Sequence, residues 1–284
     1  MYPRLFTIPA FDLIGRHLGP ISLPTYGVLL AIAFLAGLWV VGREAKRSNL
    51  DVIRVTDLAI YSLIGGLVGA RLLLVIVDWQ FYSKNWSELW GLVQSGGVFY
   101  GGLIGGILVG AWYIRRHQMA VWPLADVLAP GVVLGQAIGR LGCLAAGCCF
   151  GKPTTVAWAV TFRDMYAAQR LGTPVDIPVH PTQIYESIAT ILIFAFLMWL
   201  ARRKRFHGQV AMIYVMLYSV ARYLIEYFRG DSARGFVLEG RLSTSQLISI
   251  VLFAAAAATL PYLARKQRVD AASAPAAPPA EAAS

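Results

Sequence analysis

Three arginines, Arg71, Arg140 and Arg222, stand inside runs that are otherwise apolar. A guanidinium in such surroundings is costly unless it faces a partner, a cavity or a ligand, so each is a functional candidate by position. Arg140 lies in a stretch spaced by Gly135, Gly139, Gly142, Gly147 and Gly151, and Cys143, Cys148 and Cys149 follow it within nine residues. Glu226 comes four residues after Arg222, the spacing at which opposite charges meet on one helix face. Tyr26, Tyr100, Glu186 and Gln246 sit near the polar ends of other apolar runs. Guanidinium forks match phosphate oxygens bidentately, so arginines grouped with hydroxyl and carboxylate groups suit a phosphate-bearing ligand. A plainer reading competes at each position. Arg140 could tie helices through backbone carbonyls, Glu226 could serve Arg222 alone, Glu186 could start a helix, and the tyrosines could be interfacial aromatics.

Composition decides what kind of chain holds these groups. Apolar residues make up 57% of the 284, charged residues 14%, and the mean hydropathy is +0.60. A soluble domain carries about 25% charged residues, so the chain reads as a polytopic membrane protein. The net charge of +10 sits between apolar segments as a topology signal, and nucleic acid is excluded as a partner. The cysteines match no zinc spacing with histidines, and the adjacency of Cys148 and Cys149 argues against a shared metal site or a simple disulfide. They read as small buried hydrophobes. No metal and no cofactor are expected.

The elements that must position the candidates are helices. Apolar segments run near 24–42, 57–77, 98–114, 122–146, 184–201, 209–228 and 244–263, each close to the ~20 residues that span a bilayer. The expected architecture is an all-α integral membrane protein of about seven transmembrane helices with a small external head containing short strands. Residues 1–23 read as an N-terminal interfacial arm, 24–265 as the transmembrane domain, 147–183 as the head, and 266–284 as a disordered cytoplasmic tail rich in Ala and Pro. Within the head, the alternation of Val156–Phe162 suggests a strand. Lys and Arg concentrate in short connections at Arg43–Arg54, Arg115–Arg116, Arg202–Arg205 and Arg265–Arg268, which places the N-terminus outside and the C-terminus in the cytoplasm. At ~1.5 Å per residue, Arg71, Arg140 and Arg222 then lie roughly 20–27 Å from the cytoplasmic face. Tyr26, Tyr100, Glu186 and Gln246 share that outer level. The residues alone therefore point to an outer-leaflet site for a phosphate-bearing lipid or similar anion.

At these same residues the chain resembles the bacterial prolipoprotein diacylglyceryl transferase family. The likeness spans about residues 10–265 and rests on an ordered set of motifs. These are Thr25-Tyr26-Gly27, Gly69-Ala70-Arg71, Gly101-Gly102-Leu103-Ile104-Gly105, Gly139-Arg140-Leu141-Gly142 and Gly151-Lys152-Pro153-Thr154. His180-Pro181-Thr182-Gln183-Ile184-Tyr185-Glu186, Tyr218-Ser219-Val220-Ala221-Arg222 and Glu226-Tyr227-Phe228-Arg229 complete it. The resemblance implies an inner-membrane enzyme that moves the diacylglyceryl group of phosphatidylglycerol onto the lipobox cysteine thiol of a preprolipoprotein, releasing glycerol 1-phosphate. It implies that Arg140 and Arg222 hold the lipid phosphate, with Tyr26 and Gly151 shaping the site. Arg71, Cys143, Glu186, Glu226 and Gln246 are the further binding candidates, and the protein is expected to act as a monomer.

Two departures bear on the chemistry. Many members of that family carry His before the Gly-Gly-Leu-Ile-Gly run, where this chain has Tyr100. Many carry Asn, Asn and Glu where this chain has Cys143, Ala146 and Cys148. A phenol has an ordinary pKa near 10 and is a poor base at neutral pH. Tyr100 then acts either as a phenolate favoured by nearby arginines, or as a hydrogen-bond donor while Glu226, Glu186 or the departing phosphate takes the thiol proton. Other classes are a lipid or anion transporter, an inactive relative of the family, and an intramembrane serine protease. The transporter lacks an inverted repeat here, and the protease lacks a Gly-x-Ser-x-Gly motif.

Overall fold

In the computed structural model the described residues are 4–8, 11–13, 16–18, 21–84, 97–230, 235–237 and 242–273. They are mostly helical. The long helices are α1 (Thr25–Arg47), α2 (Val52–Val77), α4 (Phe99–Arg116), α5 (Val121–Ala146), α7 (Thr182–Ala201), α8 (Gln209–Glu226) and α9 (Thr244–Ser273). Two short ones, α3 (Trp79–Tyr82) and α6 (Met165–Leu171), lie in connections. A helix thus stands at every expected apolar segment. Five of them, α1, α2, α5, α7 and α9, are long and apolar enough to cross a membrane. The glycines and terminal arginines of α4, and the tyrosines, Arg222 and Glu226 of α8, lower the hydropathy of those two helices.

The strands are short. β1 (Arg4–Ile8) pairs antiparallel with β4 (Ile21–Pro24), and β2 (Phe11–Leu13) with β3 (Arg16–Leu18). The expected arm is therefore hairpin-paired. In the head, β5 (Val160–Thr161) pairs with β6 (Pro178–Val179). That strand covers only the end of the stretch 156–162 expected to be extended. β7 (Phe236–Val237) pairs with β8 (Leu242–Ser243) before α9. Helix α9 runs on to Ser273, into the expected tail, because Ala264–Arg268 and the alanines that follow are good helix formers. Residues 274–284 of that tail lie outside the described residues.

The chain forms two units. Unit 2, Leu38–Leu128, is built on α2 against α4. Asp51 caps α2, its Oδ1 accepting from the backbone N–H of Ile53 at 3.0 Å and Arg54 at 3.3 Å. Gly65 and Gly69 face Gly101 and Gly105 so closely that a Cβ on Gly69 would strike the Gly101 carbonyl oxygen. This is small-residue packing, in which backbones meet because no side chain separates them. Val41, Ala45, Val55, Leu58, Tyr113, Leu124 and Val127 form the buried core of that unit.

Unit 1 comprises Met1–Gly37 and Ala129–Ser284, with α7, α8 and α9 as its main helices. Helix α5 ends in a Schellman turn. The N–H of Cys148 donates to Cys143 O at 3.1 Å, that of Gly147 to Leu144 O at 3.2 Å, and Gly147 takes φ +83°. The chain then crosses between the start of α7 and the end of α8. Gly151 N donates to His180 O at 3.0 Å and Lys152 N to Phe228 O at 2.8 Å. A Cβ on Gly151 would collide with His180 and come within 2.8 Å of Phe228 O. The resemblance expected Gly151 to shape a binding site; its observed work is to let three backbone segments cross.

Replacing either crowded glycine should cost about 1–3 kcal/mol by overpacking. Gly69→Val and Gly151→Ala are expected to lower the thermal unfolding midpoint of the purified protein in detergent. Gly139→Ala, whose Cβ would meet nothing within 4 Å, is expected to leave it unchanged or raise it slightly. Equal losses at all three would refute the packing argument.

Candidate active site

A polar core runs through unit 1 along one stripe of α8. Tyr214, Tyr218, Arg222 and Glu226 recur every four residues and so share a face. Each reaches a different partner. Tyr214 Oη donates to Gln136 Oε1 on α5 at 2.8 Å. Tyr218 Oη donates to Glu186 Oε1 on α7 at 2.9 Å. The same Glu186 Oε1 receives Arg140 Nη2 from α5 at 2.8 Å. One turn on, Arg222 Nη2 pairs with Glu226 Oε2 at 2.7 Å and donates to Ser245 Oγ on α9 at 3.0 Å. Four helices therefore converge through two arginines, two glutamates and two tyrosines.

Burial makes these contacts consequential. Glu186 and Glu226 are each only 3% exposed. Removing one member of a buried charge pair costs about 3–5 kcal/mol, because the other charge is left uncompensated. The pairing also leaves capacity unused. A guanidinium has five N–H donors, and the buried Nη1 of Arg222 has no partner among the described residues. An unsatisfied buried donor costs about 1–3 kcal/mol, so Nη1 of Arg222 retains the capacity to donate to a further acceptor. Arg140 keeps 21% side-chain exposure against 4% for its glutamate, so its outer edge stays accessible.

Tyr26 opens α1, and a Cβ on Gly142 would lie 3.2 Å from its ring, so its ring covers Gly142, two residues from Arg140. Ser187 Oγ donates to Ala137 O at 2.9 Å, bracing α7 against α5 one turn before Arg140. The α7 start also holds the loop after α5. Thr182 Oγ1 donates to Cys149 O at 2.7 Å and Gln183 Nε2 to Cys148 O at 2.7 Å.

Several expectations change. Gln246 lies at the same end of α9, but its Oε1 accepts from Ser243 N at 3.0 Å while its N–H donates to Ser243 Oγ at 3.2 Å. That is a capping box, and it gives the side chain a helix-starting task. Arg71 and Tyr100 belong to unit 2 and are described there alone. Arg71 Nη1 turns back to Leu67 O at 3.1 Å on its own helix, and Tyr100, in the first turn of α4, is exposed. The cysteines differ most from expectation. Their three sulfurs lie within 4.8 Å of one another, all half-buried, and none is in a disulfide. Adjacency did not separate Cys148 from Cys149, because the left-handed backbone at Cys149, φ +61°, turns the two side chains to one side. Hydrogen bonds from Cys143 and Cys148, aided by Arg229 and Arg140, hold the Cys149 thiol below its usual range.

Sequence reasoning missed Gln136, Tyr214, Ser187 and Ser245 as members of this core, and Tyr218 as more than a motif residue. The four-residue spacing of α8 was the available signal, since a polar stripe on an apolar helix must be buried against partners. The Ser-x-x-Gln pattern at Ser243–Gln246 likewise announces a capping box.

A family model described as prolipoprotein diacylglyceryl transferase matches residues 14–262. A phosphatidylglycerol–prolipoprotein diacylglyceryl transferase of Clostridium tetani is 36% identical over 250 residues, covering 88% of this chain and 93% of that protein. One of Geobacillus kaustophilus is 35% identical over 255 residues, covering 87% and 90%. Another, of Synechococcus elongatus, is 34% identical over 264 residues, covering 88% and 86%. With matches of that extent, the chain belongs to the prolipoprotein diacylglyceryl transferase family.

Proposed function

We propose that this diacylglyceryl transferase takes phosphatidylglycerol as donor and the lipobox cysteine of a preprolipoprotein as acceptor, with Arg140 and Arg222 holding the lipid phosphate. The observation that carries the assignment of the arginines is the buried Nη1 of Arg222, which has no partner among the described residues, in a core shared with Arg140. In the reaction the acceptor thiol loses its proton, its sulfur forms a bond to the glycerol carbon, and the carbon–oxygen bond to the phosphate breaks. Glycerol 1-phosphate departs with both electrons of that bond, and a thioether remains. Charge grows on the phosphate as it leaves, so donors fixed around it stabilise the transition state more than the bound lipid.

The carboxylates have a supporting part in this reading. Glu186 and Glu226 fix the planes of the two guanidiniums, and Tyr218 holds Glu186 in turn. Tyr26 covers the glycine next to Cys143 and borders the lipid. Tyr100, in place of the family histidine, serves as a hydrogen-bond donor to thiolate or phosphate, and the departing phosphate is the final proton acceptor. Arg71 is a further binding candidate, its cationic guanidinium being suited to an anionic headgroup.

The membrane arrangement follows the charge pattern. All seven long helices span the cytoplasmic (inner) membrane, with the N-terminus outside, the 147–183 head external and the C-terminal end of α9 in the cytoplasm. A cavity of about 800 Å³ lined by Trp199, Arg203, Lys204, Arg205 and Arg268 among others marks the basic, cytoplasmic end of unit 1, remote along α7 from Glu186. The enzyme works as a monomer.

The decisive experiment incubates purified protein with phosphatidylglycerol and a lipobox peptide and weighs the peptide. A gain of one diacylglyceryl unit on the cysteine supports transfer; an unmodified peptide with folded, lipid-replete protein overturns it, and transport of lipid without product would identify a transporter.

Arg140→Lys and Arg222→Lys keep the charge but lose the fork, and each is expected to lower kcat/KM about 100-fold or more, as removal of a transition-state donor does elsewhere. Turnover within threefold of wild type in both would make the arginines structural.

Tyr100→Phe is expected to lose most activity while still binding lipid. Tyr100→His separates its two possible roles. If Tyr100 is a donor, the histidine variant should be slower at every pH; a shift of the rising limb of the pH–rate profile from alkaline pH toward neutrality would instead mark it as the base. A fully active Tyr100→Phe enzyme would leave Tyr100 as an interfacial aromatic.

A further inference from the structure

The three cysteine sulfurs of the chain meet at a place that the backbone constructs with some care. Cys143 belongs to the last turn of α5, and Cys148 and Cys149 follow the Schellman turn that ends it. Thr182 and Gln183, 2% and 1% exposed, clamp the carbonyls of Cys149 and Cys148. Cys149 is held in the left-handed region at φ +61°, which is sterically costly for a non-glycine residue. Those hydrogen bonds offset that strain and keep the loop closed upon Cys143. Packing alone asks for none of this, since alanine would fill the same half-buried positions.

We propose that Cys143, Cys148 and Cys149 form a three-thiolate site for a thiophilic d10 cation of the zinc or copper(I) class. The distances support it. Metal–sulfur bonds of about 2.3 Å place the sulfurs of a tetrahedral or trigonal set about 3.8–4.0 Å apart. The three Sγ atoms already lie within 4.8 Å, so closing on an ion takes about 1 Å or less. A disulfide would need one pair to close to about 2.05 Å and would leave the third thiol aside. Binding releases three thiol protons, and with a divalent ion the site carries one negative charge. Arg229 and Arg140 both act electrostatically on Cys149. A divalent ion keeps a fourth position for water or a small ligand. The site ties the end of α5, three residues past Arg140, to the loop that leads into Gly151. It stands independently of the transfer reaction.

The test uses the full-length protein, reduced, desalted and kept under argon, with Cd²⁺ alone as the probe. One ion per chain should bind with thiolate-to-cadmium charge-transfer absorbance, and all three cysteines should become protected together from alkylation, counted by mass. Cys148→Ala and Cys149→Ala should each weaken binding more than about 100-fold, beyond the ~10–100-fold that loss of an outer partner costs. Because the alkylation count is made on the wild-type chain with and without cadmium, it does not depend on any variant folding. Equal alkylation in both conditions would overturn the proposal. So would retention of the ion by the Cys148→Ala/Cys149→Ala double variant, or formation of a Cys143–Cys148 disulfide in the presence of equimolar cadmium.

Discussion

A guanidinium among apolar helices requires a carboxylate beside it, and much of unit 1 is arranged to satisfy that requirement twice. The two solutions are not equivalent. Arg222 and Glu226 pair along one helix at 2.7 Å, which secures a charge without joining elements. Arg140 and Glu186 pair across α5 and α7 at 2.8 Å, and Tyr218 joins α8 to the same oxygen. Such a pair adds little net stability over a well-packed apolar core, because desolvation offsets its attraction. It does specify which helix faces meet, since any other rotation buries an unpaired charge.

The head serves the same end. By closing α5 with a glycine turn and threading Gly151 between His180 and Phe228, it sets where α7 begins relative to the last turn of α5. The registry of Arg140 against Glu186 depends on both. Ser243 and Gln246 do the equivalent for α9, fixing the turn from which Ser245 reaches Arg222. A local rule of helix starting or stopping thus places each component of the polar core.

The helices were legible because apolar runs bounded by basic residues leave few alternatives. The pairing of Arg222 with Glu226 could be read from spacing alone. Arg140 with Glu186 was legible only as two groups at one depth, since no periodicity tells which helix faces which. Gln246 is placed by depth among the ligand contacts, whereas the Ser-x-x-Gln spacing also carries a local task, the capping of α9. The cysteines were misread because adjacency was treated as if the backbone were extended. A single left-handed residue, Cys149, reverses that geometry, and nothing but a nearby helix end hints at it. Tyr214 and Tyr218 were hidden by a prior that assigns membrane tyrosines to interfaces.

The pairing itself bears on how the proposed transfer would gain its rate. Two arginines each matched to a glutamate present no net charge, so in the proposed site the lipid's phosphodiester monoanion would be held by oriented donors more than by field. Tight binding of the ground state would lower KM without accelerating the chemical step. As the carbon–oxygen bond breaks, the departing phosphate gains negative charge, and donors already held in place strengthen their hold without reorganising. The glutamates would then be useful because they neutralise: they hold the planar guanidiniums in one orientation and would reserve the greater part of their attraction for the more highly charged leaving group. Free arginines at the same positions would bind the lipid harder and discriminate less between it and the transition state.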